Sequence, residues 1–298
     1  MKNKWIWVTI GITGGFAILF LSSIVIAVLF LDDGKKLVKE NGIGLVEVKG
    51  VIIDAQETVK QLHDFAKDDH VKAVVLRVDS PGGVVGPSQE IYSEVKRLAA
   101  RKKVIVSMGS VAASGGYYIA APASVIYANP GTMTGSIGVL MKFSNVEGLL
   151  DKLGMKAFTL KTGKFKDSGS PVRSMTAEER DLLQGVIDST HSQFVRAVAE
   201  GRKLPVEQVR QIADGRIFSG EQALAVKLVD RLGSLQDAVD EAGRLAGIKD
   251  EPTIIRPPKK KKLLLDMLVE ESASRISTMV REEIGLSVNY EMSGMGGH

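Results

Sequence analysis

The chain has 298 residues, of which 44% are hydrophobic and 25% charged, the balance of an ordinary globular protein long enough to bury its own core. It contains no cysteine, which excludes a thiol nucleophile, a cysteine zinc site, an iron–sulfur cluster and any disulfide. The 39 Lys plus Arg against 35 Asp plus Glu leave a net charge of +4, too small and too scattered to argue for a nucleic-acid partner, and four histidines, His63, His70, His191 and His298, are thin for a metal enzyme.

Trp5 to Leu31 carries no charged side chain. As a helix it would be about 40 Å long against a hydrocarbon core of about 30 Å. Trp5 and Trp7 stand at its first boundary, Lys2 and Lys4 precede it, and Asp32 and Asp33 follow it. This pattern predicts one uncleaved transmembrane anchor within residues 1–31, with the N-terminus cytoplasmic and the rest outside. Residues 32–41 read as a short polar stalk.

Residues 42–256 read as one α/β domain. Gly44–Val48 predicts a strand, residues 54–67 a helix with Val59, Leu62 and Phe65 on one stripe, and Val71–Val78 a buried parallel strand. Pro87 fits the first turn of a helix whose Ile91, Val95 and Leu98 align. Strands are predicted at Lys103–Ser107, Ser124–Ala128, Ile137–Met141 and Lys156–Lys161. A short helix runs through Tyr117 to Ala121, and another is capped by Asn145. Thr176 and Glu179 form a capping box before a long helix carrying Leu182, Leu183, Val186, Ile187, Phe194 and Val198. Pro205, Ser219 and Ser234 open shorter helices. The alternation of strands and helices argues for parallel pairing. In residues 257–298, Pro257-Pro258 and a lysine run break the domain, an amphipathic segment extends to about Ile284, and a Gly- and Met-rich tail ends the chain.

Three segments can carry chemistry. Asp79-Ser80-Pro81-Gly82-Gly83 follows a buried strand, and its glycines permit exposed N–H groups that would bind an oxyanion or a phosphate; a plain tight turn reads the same way. In Gly109-Ser110-Val111-Ala112-Ala113-Ser114-Gly115-Gly116 a serine precedes two glycines at the start of a helix. There the local potential favours a nucleophile and the Gly115 N–H points toward its reaction centre; close helix packing is the competing explanation. Lys161-Thr162-Gly163-Lys164-Phe165-Lys166 places three lysines in a loop, which is commonly just solvated. An ordinary lysine is neutral in only about 1 in 2,500 molecules at pH 7, so a lysine base must be desolvated.

These segments, with Ala128–Val139 (ANPGTMTGSIGV), Gly163–Pro171 (GKFKDSGSP) and Gly215–Gly233 (GRIFSGEQALAVKLVDRLG), resemble the SppA-type signal peptide peptidases over about Gly42 to Ile248. These are membrane-anchored serine peptidases of the ClpP/crotonase-like fold, a parallel sheet with flanking helices. The resemblance implies that Ser114 is the nucleophile, Lys166 the general base, and the N–H groups of Gly83 and Gly115 the oxyanion hole. Ser168 or Ser136 would orient the lysine, Lys161 and Lys164 remain alternative bases, and no metal or other cofactor is implied. ClpP-like relatives use a downstream histidine, whereas Gly115 to Ser189 contains none.

The catalytic segments occur in a single copy. The resemblance therefore implies a homo-oligomeric ring or dome in which neighbouring subunits supply serine and lysine, acting on hydrophobic peptides such as residual signal peptides at a lipid bilayer. The C-terminal tail is expected to reach a neighbouring subunit's active site. A crotonase-like acyl-CoA enzyme and a non-catalytic membrane scaffold are the alternatives on the same fold.

Overall fold

A computed structural model describes residues 41–258, the backbone of Asn289–Glu291, and Phe20, Ser22 and Ser23. The predicted anchor, the lysine run and the amphipathic segment thus lie outside the described residues or nearly so. Among the described residues no helix is long and apolar enough to cross a membrane.

The strands β1 (Gly42–Lys49), β2 (Val71–Ser80) and β4 (Lys103–Ala113) form the parallel centre of an eight-stranded sheet. Each is buried on both faces, which explains their nearly continuous apolar sequences. Side chains alternate between two layers. Val46, Val48, Val74, Leu76, Val78, Val104, Val106 and Met108 face one core, and Ile43, Leu45, Ala73, Val75 and Ile105 face the other. The first core is covered by α1 (Gln56–Lys67), α2 (Val85–Ala99), α3 (Gly115–Ala120) and the second half of a long helix, α5 (Ala177–Arg202). The second core is closed by α8 (Leu235–Leu245), through Ala238, Val239 and Ala242.

Beyond β4 the sheet forks. The first half of β4 pairs with β5 (Val125–Ala128), which pairs in turn with β8 (Arg231–Leu232). Its last three residues pair with β6 (Met133–Gly135), which meets β7 (Ile217–Phe218) in antiparallel fashion. At the other edge β9 (Thr253–Ile255) runs parallel to β1. A short strand, β3 (Gly82–Val84), stands outside this sheet; its middle residue makes a parallel bridge with Ile52. Helices α4 (Glu147–Lys152), α6 (Val206–Ile212) and α7 (Gly220–Ala225) and a last strand, β10 (Asn289–Glu291), complete the described elements.

Two strand predictions need correction. The strand placed at Ile137–Met141 lies earlier, at β6, because the hydrogen-bonding groups of β4 extend to Ala113 and meet residues 133–135. Lys156–Lys161 forms no strand: no strand among the described residues reaches it, and Phe158 and Leu160 are 86% and 92% exposed. The capping box of α5 is formed as read, with Thr176 Oγ1 accepting from the Glu179 N–H and Glu179 Oε2 accepting from the Thr176 N–H. Its apolar stripe is only half covered: Phe194 and Val198 are buried, whereas Leu182 and Val186 face outward.

Candidate active site

Ser114 directly follows β4 and stands at the N-cap of α3. Its backbone is in a strained left-handed conformation, φ 53° and ψ −119°, which turns the chain sharply from strand to helix. Several contacts hold it there. The Ser114 N–H donates to the Gly135 carbonyl at 2.8 Å, and the Ser114 carbonyl accepts from the Tyr118 N–H at 2.8 Å. Thr134 Oγ1 donates to the Ala112 carbonyl at 2.6 Å, and Thr132 Oγ1 to the Gly109 carbonyl at 2.7 Å. Asp79 accepts the Val111 N–H at 3.1 Å. Helix α3 is fixed in turn by Tyr117, which donates to the Leu228 carbonyl at 2.8 Å, and by Tyr118, whose ring packs 4.8 Å from those of Tyr92 and Phe194. Burial raises the Tyr118 hydroxyl to about 12 and the Tyr117 hydroxyl further, so both stay neutral anchors.

The Ser114 side chain is fully buried in the single chain, and its Oγ has no hydrogen-bond partner. A buried hydroxyl without a partner is costly, and native structures keep such groups where a function uses them. The serine is immediately followed by Gly115, whose N–H opens the helix and has no intrahelical acceptor. Gly116 lets α3 press onto the end of β2: a Cβ there would sit 2.6 Å from the Ser80 carbonyl oxygen. Strand β3, which carries Gly83, packs against α3. Asn289–Glu291 pairs with β3 in antiparallel register, with Tyr290 opposite Gly83. An extended peptide thus runs beside the turn expected to furnish one oxyanion donor.

Lys166 lies on an exposed loop between the 156–161 segment and α5. It lines a shallow pocket with Thr159, Leu160, Lys161, Thr162 and Asp167. Ser114 and Lys166 are therefore not hydrogen-bonded to each other within one chain. The neighbouring lysines are engaged: Lys161 Nζ contacts Asp167 and donates to the Lys164 carbonyl at 3.0 Å, and Lys164 pairs with Glu178. No described ion pair or side-chain hydrogen bond uses the Lys166 amine. Of the two serines considered as its orienters, Ser168 donates to the Phe165 carbonyl at 2.9 Å. Ser136 is buried beside the Ser114 turn at φ 49°, with its N–H on the Arg216 carbonyl at 2.8 Å. His63 lies against Glu94 and His191 against the Ala213 carbonyl.

Sequence reasoning missed Thr132, Thr134 and Asp79 as the buttress of the Ser114 turn. Their signal was present, since hydroxyl and carboxylate side chains beside Gly- and Pro-rich turns commonly satisfy backbone groups.

The chain matches the model of Peptidase family S49 over residues 96–249, and that of Clp protease over residues 30–133. It is 45% identical over 221 residues to a Synechocystis protein named as a protease, covering 73% of this chain and 80% of the relative. It is 37% identical over 244 residues to an Enterococcus faecium protein named as a signal peptide peptidase of the SppA type, covering 75% and 68%. To Protease 4 of Salmonella typhi it is 36% identical over 278 residues, covering 87% of this chain and 43% of that longer relative. With the strained serine turn of a ClpP-like sheet on one side and these matches on the other, the chain belongs to Peptidase family S49, as a serine peptidase of the SppA type.

Proposed function

We propose that the protein is a membrane-anchored endopeptidase that hydrolyses hydrophobic peptides, residual signal peptides among them, with Ser114 as nucleophile and Lys166 as general base supplied by an adjoining subunit. The observation that carries this reading is the buried Ser114 Oγ without a hydrogen-bond partner among the described residues, set against a Lys166 amine equally without one among them. In the sequence leading to the Lys166 loop, Leu149, Leu153, Met155, Phe158 and Leu160 are each more than half exposed, and Leu160 lines the pocket with Lys166. A second copy covering these apolar side chains would also take water away from the lysine, and desolvation favours the neutral amine.

In the proposed reaction the neutral amine takes the hydroxyl proton as Ser114 Oγ attacks the scissile carbonyl. The N–H groups of Gly83 and Gly115 hold the oxyanion, an effect worth about 3–4 kcal/mol per donor in favourable cases. The lysine then protonates the leaving amine, and later activates the water that releases the acyl group. Substrate would be held as an added strand on β3, the pairing that residues 289–291 make with the same strand. The apolar run Trp5–Leu31 would anchor the chain, with the catalytic domain outside the cytoplasm.

Mixed assemblies test the shared dyad. Ser114→Ala and Lys166→Ala subunits, each inactive alone, are expected to recover activity when co-assembled, to roughly a quarter of wild type for random mixing around a symmetric ring. Cross-linked mixed assemblies with no recovery would overturn the intersubunit arrangement. The tail makes a separate prediction. If residues 289–291 compete with substrate for β3, truncation after Pro258 lowers KM several-fold and leaves kcat unchanged, since a tethered competitor acts through its effective concentration. Steady-state kinetics on a hydrophobic peptide decide it, and an unchanged KM would take the tail out of the groove.

A further inference from the structure

Asp167 directly follows Lys166 in the chain. A carboxylate so placed is a ready partner for the lysine, and an ion pair stabilises the charged ammonium, the form that cannot accept a proton. The structure directs that carboxylate elsewhere. Asp167 Oδ2 accepts from Arg173 Nε at 3.0 Å, and Oδ1 accepts from a terminal guanidinium nitrogen of Arg173 at 2.8 Å and from Lys161 Nζ. The same guanidinium donates to the Asp167 main-chain carbonyl at 3.1 Å. On its other side Arg173 holds both oxygens of Glu179, the carboxylate that completes the capping box of α5 with Thr176. The side chains of Asp167 and Glu179 are 13% and 3% exposed, so solvent screens this cluster far less than a surface pair. Two further charges near the loop are also engaged: Lys164 pairs with Glu178 at the start of α5, and Glu147 at the start of α4 accepts from the Ser174 hydroxyl at 2.9 Å.

We propose that Arg173 is a positioning residue of the peptidase: with Lys161 it sequesters Asp167 and pins the Lys166 loop to the first turn of α5, leaving the Lys166 amine without a carboxylate partner. The proposal rests on reading Lys166 as the base. The clamp itself does not titrate near neutrality. Hydrogen bonding to Arg173 holds Glu179 at about 2, and Arg173 followed by Lys161 holds Asp167 well below the usual carboxylate range. Carboxylates lowered in this way stabilise the fold fully above their unfolded values near pH 4, and that stabilisation is lost progressively as the pH falls from there through the lowered values. An activity limb at neutral or alkaline pH therefore belongs to another group.

The test is the pH–rate profile of the full-length protein on a hydrophobic peptide, with competitive acylation of Lys166 read by mass spectrometry across the same pH series. Arg173→Gln frees Asp167 and is expected to move the rising limb and the acylation midpoint upward by about one pH unit, or about tenfold in activity at a fixed pH on the limb. Adding Asp167→Asn should return both toward wild type, and Arg173→Lys should shift them less than Arg173→Gln. If Arg173→Gln does not fold, Lys161→Gln removes one cation from Asp167 without touching the helix cap and should shift both in the same direction by a smaller amount. A uniform loss of kcat with limb and midpoint unmoved, or a shift that Asp167→Asn fails to reverse, would overturn the proposal. The two readings separate cleanly: full activity in Lys166→Ala removes Lys166 as base, while the acylation midpoint still reports whether the clamp governs its charge.

Discussion

Ser114→Ala is expected to lower kcat/KM for peptide hydrolysis by roughly 10³-fold or more while the protein melts within about 2 °C of wild type. The two halves of this expectation come from the same atom. Ser114 Oγ makes no hydrogen bond in its own chain, so its removal leaves no buried group newly unpaired. The strained turn does not depend on the hydroxyl either, because the main chain of Ser114 is held by Gly135 and Tyr118. The chemistry, in contrast, has no substitute nucleophile at that position. Lys166→Ala should match the loss in rate, since residues that act as a unit cost about as much singly as together. The double variant should then be no worse than either single one. Labelling with a fluorophosphonate gives a second readout: wild type should react at Ser114, and Lys166→Ala much more slowly. A Ser114→Ala protein that still cleaves peptide at a near-normal rate would end the assignment of this serine.

The serine turn shows what was legible in the sequence. A serine before two glycines at a strand–helix junction marks the place, but not the φ of 53° nor the contacts from Thr132, Thr134 and Gly135 that enforce it. Those contacts join residues more than twenty positions apart, which local patterns do not encode. The central strands were legible because burial on both faces demands a nearly continuous apolar run, as in Val71–Val78, which only Lys72 and Arg77 interrupt. Lys156–Lys161 carries a strand-like pattern yet pairs with no strand among the described residues. A strand is a property of two segments, and a local pattern supplies only one of them. The outward Leu182 and Val186 of α5 follow the same logic, as half of an apolar stripe left uncovered among the described residues. The Arg173 clamp escaped notice because polar residues in a loop have no period, although the capping-box glutamate at its far end was read correctly.

Gly83→Ala carries the second large effect. A Cβ at this position would lie 2.1 Å from the Ile52 carbonyl oxygen and 2.6 Å from the Ile52 nitrogen. Both are main-chain atoms. They are held by hydrogen bonds from Ile52 N–H to the Gly82 carbonyl and from Val84 N–H to the Ile52 carbonyl, each 2.8 Å, so neither can swing aside as a side chain would. Relief requires β3 to move away from Ile52, and β3 carries the N–H assigned to the oxyanion and the edge on which an extended peptide pairs. Losing one correctly placed oxyanion donor costs about 10²–10³-fold in kcat. A displaced edge strand would raise KM as well. Gly86→Ala is the matched control: it adds the same methyl group three residues away, inside helix α2, where nothing lies within 4 Å. That change should leave the kinetics unchanged and stabilise the fold slightly, since alanine has the higher helix propensity. A Gly83→Ala protein with wild-type kcat would show that the Gly83 N–H does not hold the oxyanion. The Gly115 N–H at the start of α3 would then have to act with a donor from outside β3.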